Sequence, residues 1–206
     1  SADDCNHDGI NGSAMDATCF GLLALNGSLG NQSTVSVGLV AFASGAKTAD
    51  MGPAVGAQSF TAPPQVDANT NSIPDVAEVI RSLDTTYQGN SAAGIGLFTA
   101  DITANFALQT NYDAALSALN AAFAGRPAGQ RNIAFFLSDG QPTTFTTGGV
   151  SPLSTAVAAG TTINTFALGV VAPGECNPGN PLRIIADSSG GICTEVADPS
   201  QLSAVL

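Results

Sequence analysis

Asn132 to Pro142, NIAFFLSDGQP, is the stretch that decides how this chain folds. Its apolar run from Ile133 to Leu137 does not alternate with polar residues and stops at a Ser-Asp-Gly turn. Such a run predicts a strand buried on both faces, as strands covered by helices on either side are. Upstream, Asn111 to Phe123 (NYDAALSALNAAF) places Tyr112, Leu116, Leu119 and Phe123 at helical spacing on one face. Downstream come a helical pattern at Pro152 to Ala159, the strand INTFALGVV from Ile163 to Val171, and a helix over Pro181 to Ala186. A short strand from Ile192 to Val196 and a final helix from Pro199 to Val205, with Asp198 as N-cap, complete the series.

The amino-terminal half continues this alternation. Met15 to Leu25 predicts a helix, STVSVGLVAFAS from Ser33 to Ser44 a strand with an antiparallel partner around Val55 to Thr61, and Asp75 to Leu83 a short helix. The pattern is α/β: a doubly wound, mostly parallel, Rossmann-like sheet with helices on both faces, which binds ligands at the carboxyl ends of its strands. With 206 residues and no long linker, one domain is expected.

Five basic residues against 16 acidic ones give a net charge of −11, which argues against nucleic acid and anionic membrane surfaces as partners and favours cations. The longest apolar runs are strand-length, so no membrane insertion is expected. Four cysteines fall in two local pairs, Cys5 with Cys19 and Cys176 with Cys193, without the spacing of a zinc or dithiol motif. Two short-range disulfides in an exported protein are the preferred reading, with buried free thiols the alternative. Sequons at Asn11, Asn26 and Asn31 would accept glycans in a eukaryotic secretory route.

Two stretches match calcium-loop spacing. In VDANTNSIPDVAEVI, Asp67, Asn69, Asn71, Asp75 and Glu78 fall at positions 1, 3, 5, 9 and 12 of an EF-hand-type loop, with Ile73 at the backbone-carbonyl position. Ser72 replaces the usual glycine of position 6. The bland reading is a solvated cluster of Asx turns ahead of a helix. In DDCNHDGINGSAMDATC, Asp4, Asn6 and Asp8 take positions 1, 3 and 5 and Ile10 position 7, while Asp16 falls one residue beyond the closing position. His7 sits in that loop at a position expected to face solvent.

TNYDAAL, FFLSDGQPT, INTFALGV and ADSSGGICTEVADPSQLSAVL, taken in order, resemble a von Willebrand factor type A domain of extracellular type. The resemblance implies a metal-ion-dependent adhesion site for a hard divalent ion, Mg2+ or Mn2+, beside the Ca2+ of the two loops. Thr110 matches its threonine, Asp139 its aspartate, and Ser1 could be at most the last serine of its Asp-x-Ser-x-Ser motif. Read alone, Asp139 is better taken as an ordinary turn aspartate, and it is Thr110 and the rest of the pattern that favour a metal ligand; Thr110 is equally the cap of its helix, or lies beside Asn111 as the cap. The first central strand of the family has no counterpart before the first helix. It is expected to come from a cleaved upstream piece, from a neighbouring subunit, or from residues outside the sequence.

One histidine, paired cysteines and no placeable triad argue against an enzyme. The expected function is an extracellular, calcium-binding adhesion module engaging a protein or glycan through a metal-dependent site. The alternative is a structural subunit of a surface filament or layer, joined to neighbouring copies by donated strands and stabilised by calcium and disulfides.

Overall fold

A computed structural model describes residues 4–5, 14–52, 58–82, 109–126, 128–169 and 174–206. Helix α1 runs Ala14–Leu29, followed by a two-stranded antiparallel hairpin of β1 (Val40–Phe42) and β2 (Ala46–Thr48). Helix α2 spans Asp75–Arg81 and α3 Tyr112–Ala124. Then β3 (Ile133–Ser138), α4 (Pro152–Ala158), β4 (Thr162–Leu168), α5 (Pro181–Ser189) and β5 (Cys193–Val196) alternate. A 3-10 turn at Pro199–Gln201 leads into α6 (Leu202–Val205). The protein is therefore mixed α/β, and β3, β4 and β5 form a parallel sheet in that order.

The local signals act where the sequence put them. Asn111 caps α3 by accepting from the Ala114 N–H at 2.9 Å, which settles the choice between Thr110 and Asn111. Ser151 and Ser154 form a reciprocal capping box ahead of Pro152, and the Asp198 side chain accepts from Ser200 N–H at the start of the 3-10 turn. Gly190 ends α5 in the left-handed conformation at φ 72°.

Alternation along β4 divides the core. Ile163 and Ala167 join Tyr112, Leu116, Phe136, Leu153 and Ile185 in one cluster. Phe166 and Leu168 point the other way, to Val196 and Leu202. A further cluster stands apart from both. There Val76, Val79 and Ile80 of α2 pack with Ala49, Met51 and the buried Cys5 and Cys19.

Three expectations change. The partner of the first strand is β2, reached through a tight turn in which Ala43 N–H donates to the Gly45 carbonyl; Thr61 keeps only an isolated antiparallel bridge to Val37, and 53–57 lie outside the described residues. Ser44-Gly45 is the turn signal that a single long strand reading passes over. Second, β3 is not buried on both faces: Ala134 and Phe136 are buried, but Ile133 and Phe135 are 49% and 38% exposed. The cause is position, because β3 is the sheet's edge strand among the described residues. Third, the last helix starts as a 3-10 turn and is α-helical only over Leu202–Val205.

Among the described glycines, Gly191 marks the tightest backbone approach. A Cβ there would lie 2.0 Å from the Ile163 carbonyl oxygen, whereas one at Gly21 would meet the movable Leu202 side chain at 2.8 Å. Gly191→Ala should therefore cost about 3 kcal/mol in urea unfolding, and Gly21→Ala less; equal losses would contradict the packing of α5 on β4.

Candidate cation loop and ligand-binding face

The polar loop from Asp67 to Glu78 is closed by one residue. Asp75 N–H donates to the Val66 carbonyl at 2.8 Å, and Asp75 Oδ1 accepts from Ala68 N–H at 3.1 Å. Inside this closure the side chains fold the backbone by Asx-type bonds. Asp67 Oδ1 accepts from Asn71 N–H at 3.1 Å and Oδ2 from Ser72 N–H at 2.7 Å. Asn69 Oδ1 accepts from Asn71 N–H, and Asn71 Oδ1 from Ile73 N–H at 2.8 Å. Their amide nitrogens turn to Glu78: Asn69 Nδ2 donates to Oε2 at 2.9 Å and Asn71 Nδ2 to Oε1 at 2.5 Å.

The loop thus brings Asp67, Asn69, Asn71, Asp75 and Glu78 into one network, with Ile73 in the same turn. Asp75 is 1% exposed and Glu78 5%, and Asp75 Oδ2 is buried with no hydrogen-bond partner. Burial raises the Asp75 carboxyl above the usual range; the Ala68 N–H opposes this, and Glu78 and Asp67 add to it. Among the described residues no three His, Cys, Asp or Glu side chains form a metal cluster by themselves. Any cation here would also need the amide and carbonyl oxygens. An all-oxygen donor set of that kind, with one buried carboxylate oxygen unsatisfied, fits a hard cation such as Ca2+.

In the second predicted loop, Asn6, Asp8 and Ile10 lie outside the described residues. Asp4 is buried, and Asp16, the residue one place out of register, is buried and accepts from the Cys5 N–H at 2.9 Å. The Cys5–Cys19 disulfide forms as expected and fastens this segment to α1.

The carboxyl ends of the parallel strands form the other candidate region. Ser1 lies outside the described residues, but the segments carrying Thr110 and Asp139 are tied together. Thr143 N–H donates to the Thr110 carbonyl at 2.7 Å, Tyr112 N–H to the Thr144 carbonyl at 3.0 Å, and the Tyr112 hydroxyl to the Gly140 carbonyl at 2.8 Å. Burial pushes the Tyr112 hydroxyl up to about 12; Ser138 opposes this, and the charges of Glu175 and Asp139 add to it. Asp139 is exposed and Thr110 half-buried.

Sequence reading missed the supports of this face. Asp113 accepts from Thr146 N–H at 2.9 Å and from Thr146 Oγ1 at 2.6 Å, holding the loop after β3. Glu195 Oε1 accepts from Gly174 N–H and Cys176 N–H, and the Cys176–Cys193 disulfide fastens the same loop to β5. Gln141 Nε2 bridges the two loops by donating to Glu175 Oε2. The available signal was an acidic residue inside a strand, two places from a paired cysteine. A depression of 370 Å³ lined by Ser36, Gln58, Phe60 and Gly125 lies elsewhere and holds no titratable side chain.

Asn26 is corrected as a glycan acceptor. It is 5% exposed, and its Nδ2 donates to the Pro64 carbonyl at 3.2 Å, leaving no room for a sugar. Asn31 is exposed, and Asn11 lies outside the described residues. Compared with models of known protein families and with curated proteins, the chain matches none.

Ser72 sits at φ 72°, the left-handed conformation that position 6 of the template assigns to glycine. Ser72→Gly should stabilise the protein by about 1 kcal/mol, raising Tm by about 2–4 °C in thermal unfolding. A fall in Tm would contradict the described loop.

Proposed function

We propose that this protein is an extracellular binding module resembling a von Willebrand factor type A domain. It engages a protein or glycan at the carboxyl ends of β3, β4 and β5 with help from a divalent cation, and calcium braces its Asp67–Glu78 loop. The observation that supports this best is the joining of the Thr110 and Asp139 segments at one end of the parallel sheet, with Glu175 tied to them through Gln141. Ligands of open α/β sheets bind at that end. A divalent cation there would neutralise the carboxylates and offer a coordination position to an acidic group of the partner. Thr110 and Asp139 would hold it, with Ser1 as a further hydroxyl. Two disulfides suit an oxidising compartment. Among the described residues, no helix is long and apolar enough to cross a membrane. No catalytic role is assigned to any residue.

One observation favours the second reading, a filament or layer subunit assembled by strand donation. The hairpin β1–β2 approaches β3 through Phe42 and Phe136, whose ring centroids are 5.1 Å apart, but among the described residues the two sheets share no strand pairing. The outer edge of β3 is unpaired among the described residues, beside the exposed Ile133 and Phe135. An added strand would satisfy that edge and cover those side chains.

Arrays of extracellular proteins and glycans test the first reading. Retention in Ca2+ and Mg2+ should disappear with chelator and fall at least tenfold in Asp139→Ala, a loss of about 1.4 kcal/mol or more. Retention indifferent to both would contradict a metal-dependent face. Strand donation predicts a detergent-stable ladder of assemblies on electrophoresis without boiling, and a monomer alone would contradict it.

A further inference from the structure

Glu78 spends both carboxylate oxygens on amide nitrogens of its own loop. Those two oxygens are what a cation in the Asp67–Glu78 loop would take from the closing residue, which an EF-hand-type loop uses as a bidentate ligand. The carbonyl oxygens of the same two amides accept from backbone groups of the turn, Asn69 Oδ1 from Asn71 N–H and Asn71 Oδ1 from Ile73 N–H, while the two oxygens of Asp67 accept from Asn71 N–H and Ser72 N–H. Asp75, fixed through Oδ1 to Ala68 N–H, contributes a second oxygen that is buried and unpartnered.

We propose that Asn69 and Asn71 act as built-in substitutes for the cation: their amide N–H groups hold Glu78 when no ion is bound and release it to the ion when one is. This rests on the reading of the loop as a calcium site. The amides are donors on one side and acceptors on the other, and no carboxylate has that property at neutral pH. Aspartate at either position would supply the acceptor oxygen and add a negative charge, but would lose the donor to Glu78. The neutral residues at positions 3 and 5 then have a physical purpose. They give up affinity so that the loop keeps its shape through changes in calcium, and with it the docking of α2 into the cluster of Val76, Val79, Ile80, Met51 and the Cys5–Cys19 disulfide.

The test is Asn69→Asp combined with Asn71→Asp in the full chain, with Asn71→Asp alone as the milder variant. Calcium binding is measured by calorimetry, and Tm in chelator and in calcium. In the wild type, calcium should bind weakly, in the range of about 10⁻⁴–10⁻³ M, and raise Tm modestly. The variants should bind calcium about tenfold or more tightly, yet melt about 5 °C or more below the wild type in chelator. A double variant that folds only with calcium is the extreme form of the same result. Wild-type binding together with an unchanged Tm of Asn71→Asp in chelator would overturn the substitution by amides and leave the calcium loop standing. Absence of calcium binding in the wild type and both variants would overturn both.

Discussion

A carboxylate buried at the start of a helix is the constraint around which the amino-terminal half is organised. Asp75 closes the polar loop behind it through its backbone N–H to Val66 and its Oδ1 to Ala68, while the helix it opens sends Val76, Val79 and Ile80 into the core. A group so placed is costly unless its charge is answered, because burial removes the water that would have solvated it. Part of the answer is visible in the Ala68 N–H, and the remaining oxygen has no protein partner. In the proposed calcium site the ion supplies the rest. A polar excursion that lacks an apolar core of its own is then fixed to one by a single residue facing both ways.

The carboxyl-end face is built on a different principle. Its loops are held by side chains outside the proposed site: Asp113 on Thr146, Glu195 on the Gly174 and Cys176 amides, and the Cys176–Cys193 bridge. Such supports suit the proposed surface, in which Thr110, Asp139 and Glu175 would be presented in fixed relation. The buried Tyr112 connects this face to the core, stacking edge-on against Phe136 at 4.9 Å while its hydroxyl reaches the Gly140 carbonyl.

How far the sequence could be read depended on whether the deciding interaction was local. Caps at Asn111 and Asp198, the helix and strand alternation after residue 111 and both disulfide pairings are short-range, and the structure agrees with them. The network from Asp67 to Glu78 was legible for the same reason, since its spacing is fixed by one turn of chain. What spacing could not reveal was that the Asn69 and Asn71 amides turn their nitrogens toward Glu78. The exposure of Ile133 and Phe135 was illegible because an apolar run looks the same at the centre of a sheet and at its edge. The burial of Asn26 depended on Pro64, far along the chain, so its sequon could not be discounted from the tripeptide.

The most direct measurement is a high-resolution crystal structure of the protein grown with millimolar calcium. The account predicts an ion coordinated by Asp67, Asn69, Asn71, Asp75, Glu78 and the Ile73 carbonyl at about 2.3–2.6 Å, with the two asparagine nitrogens turned away from Glu78. Glu78 still held by both amides, with only water in the loop, would contradict it.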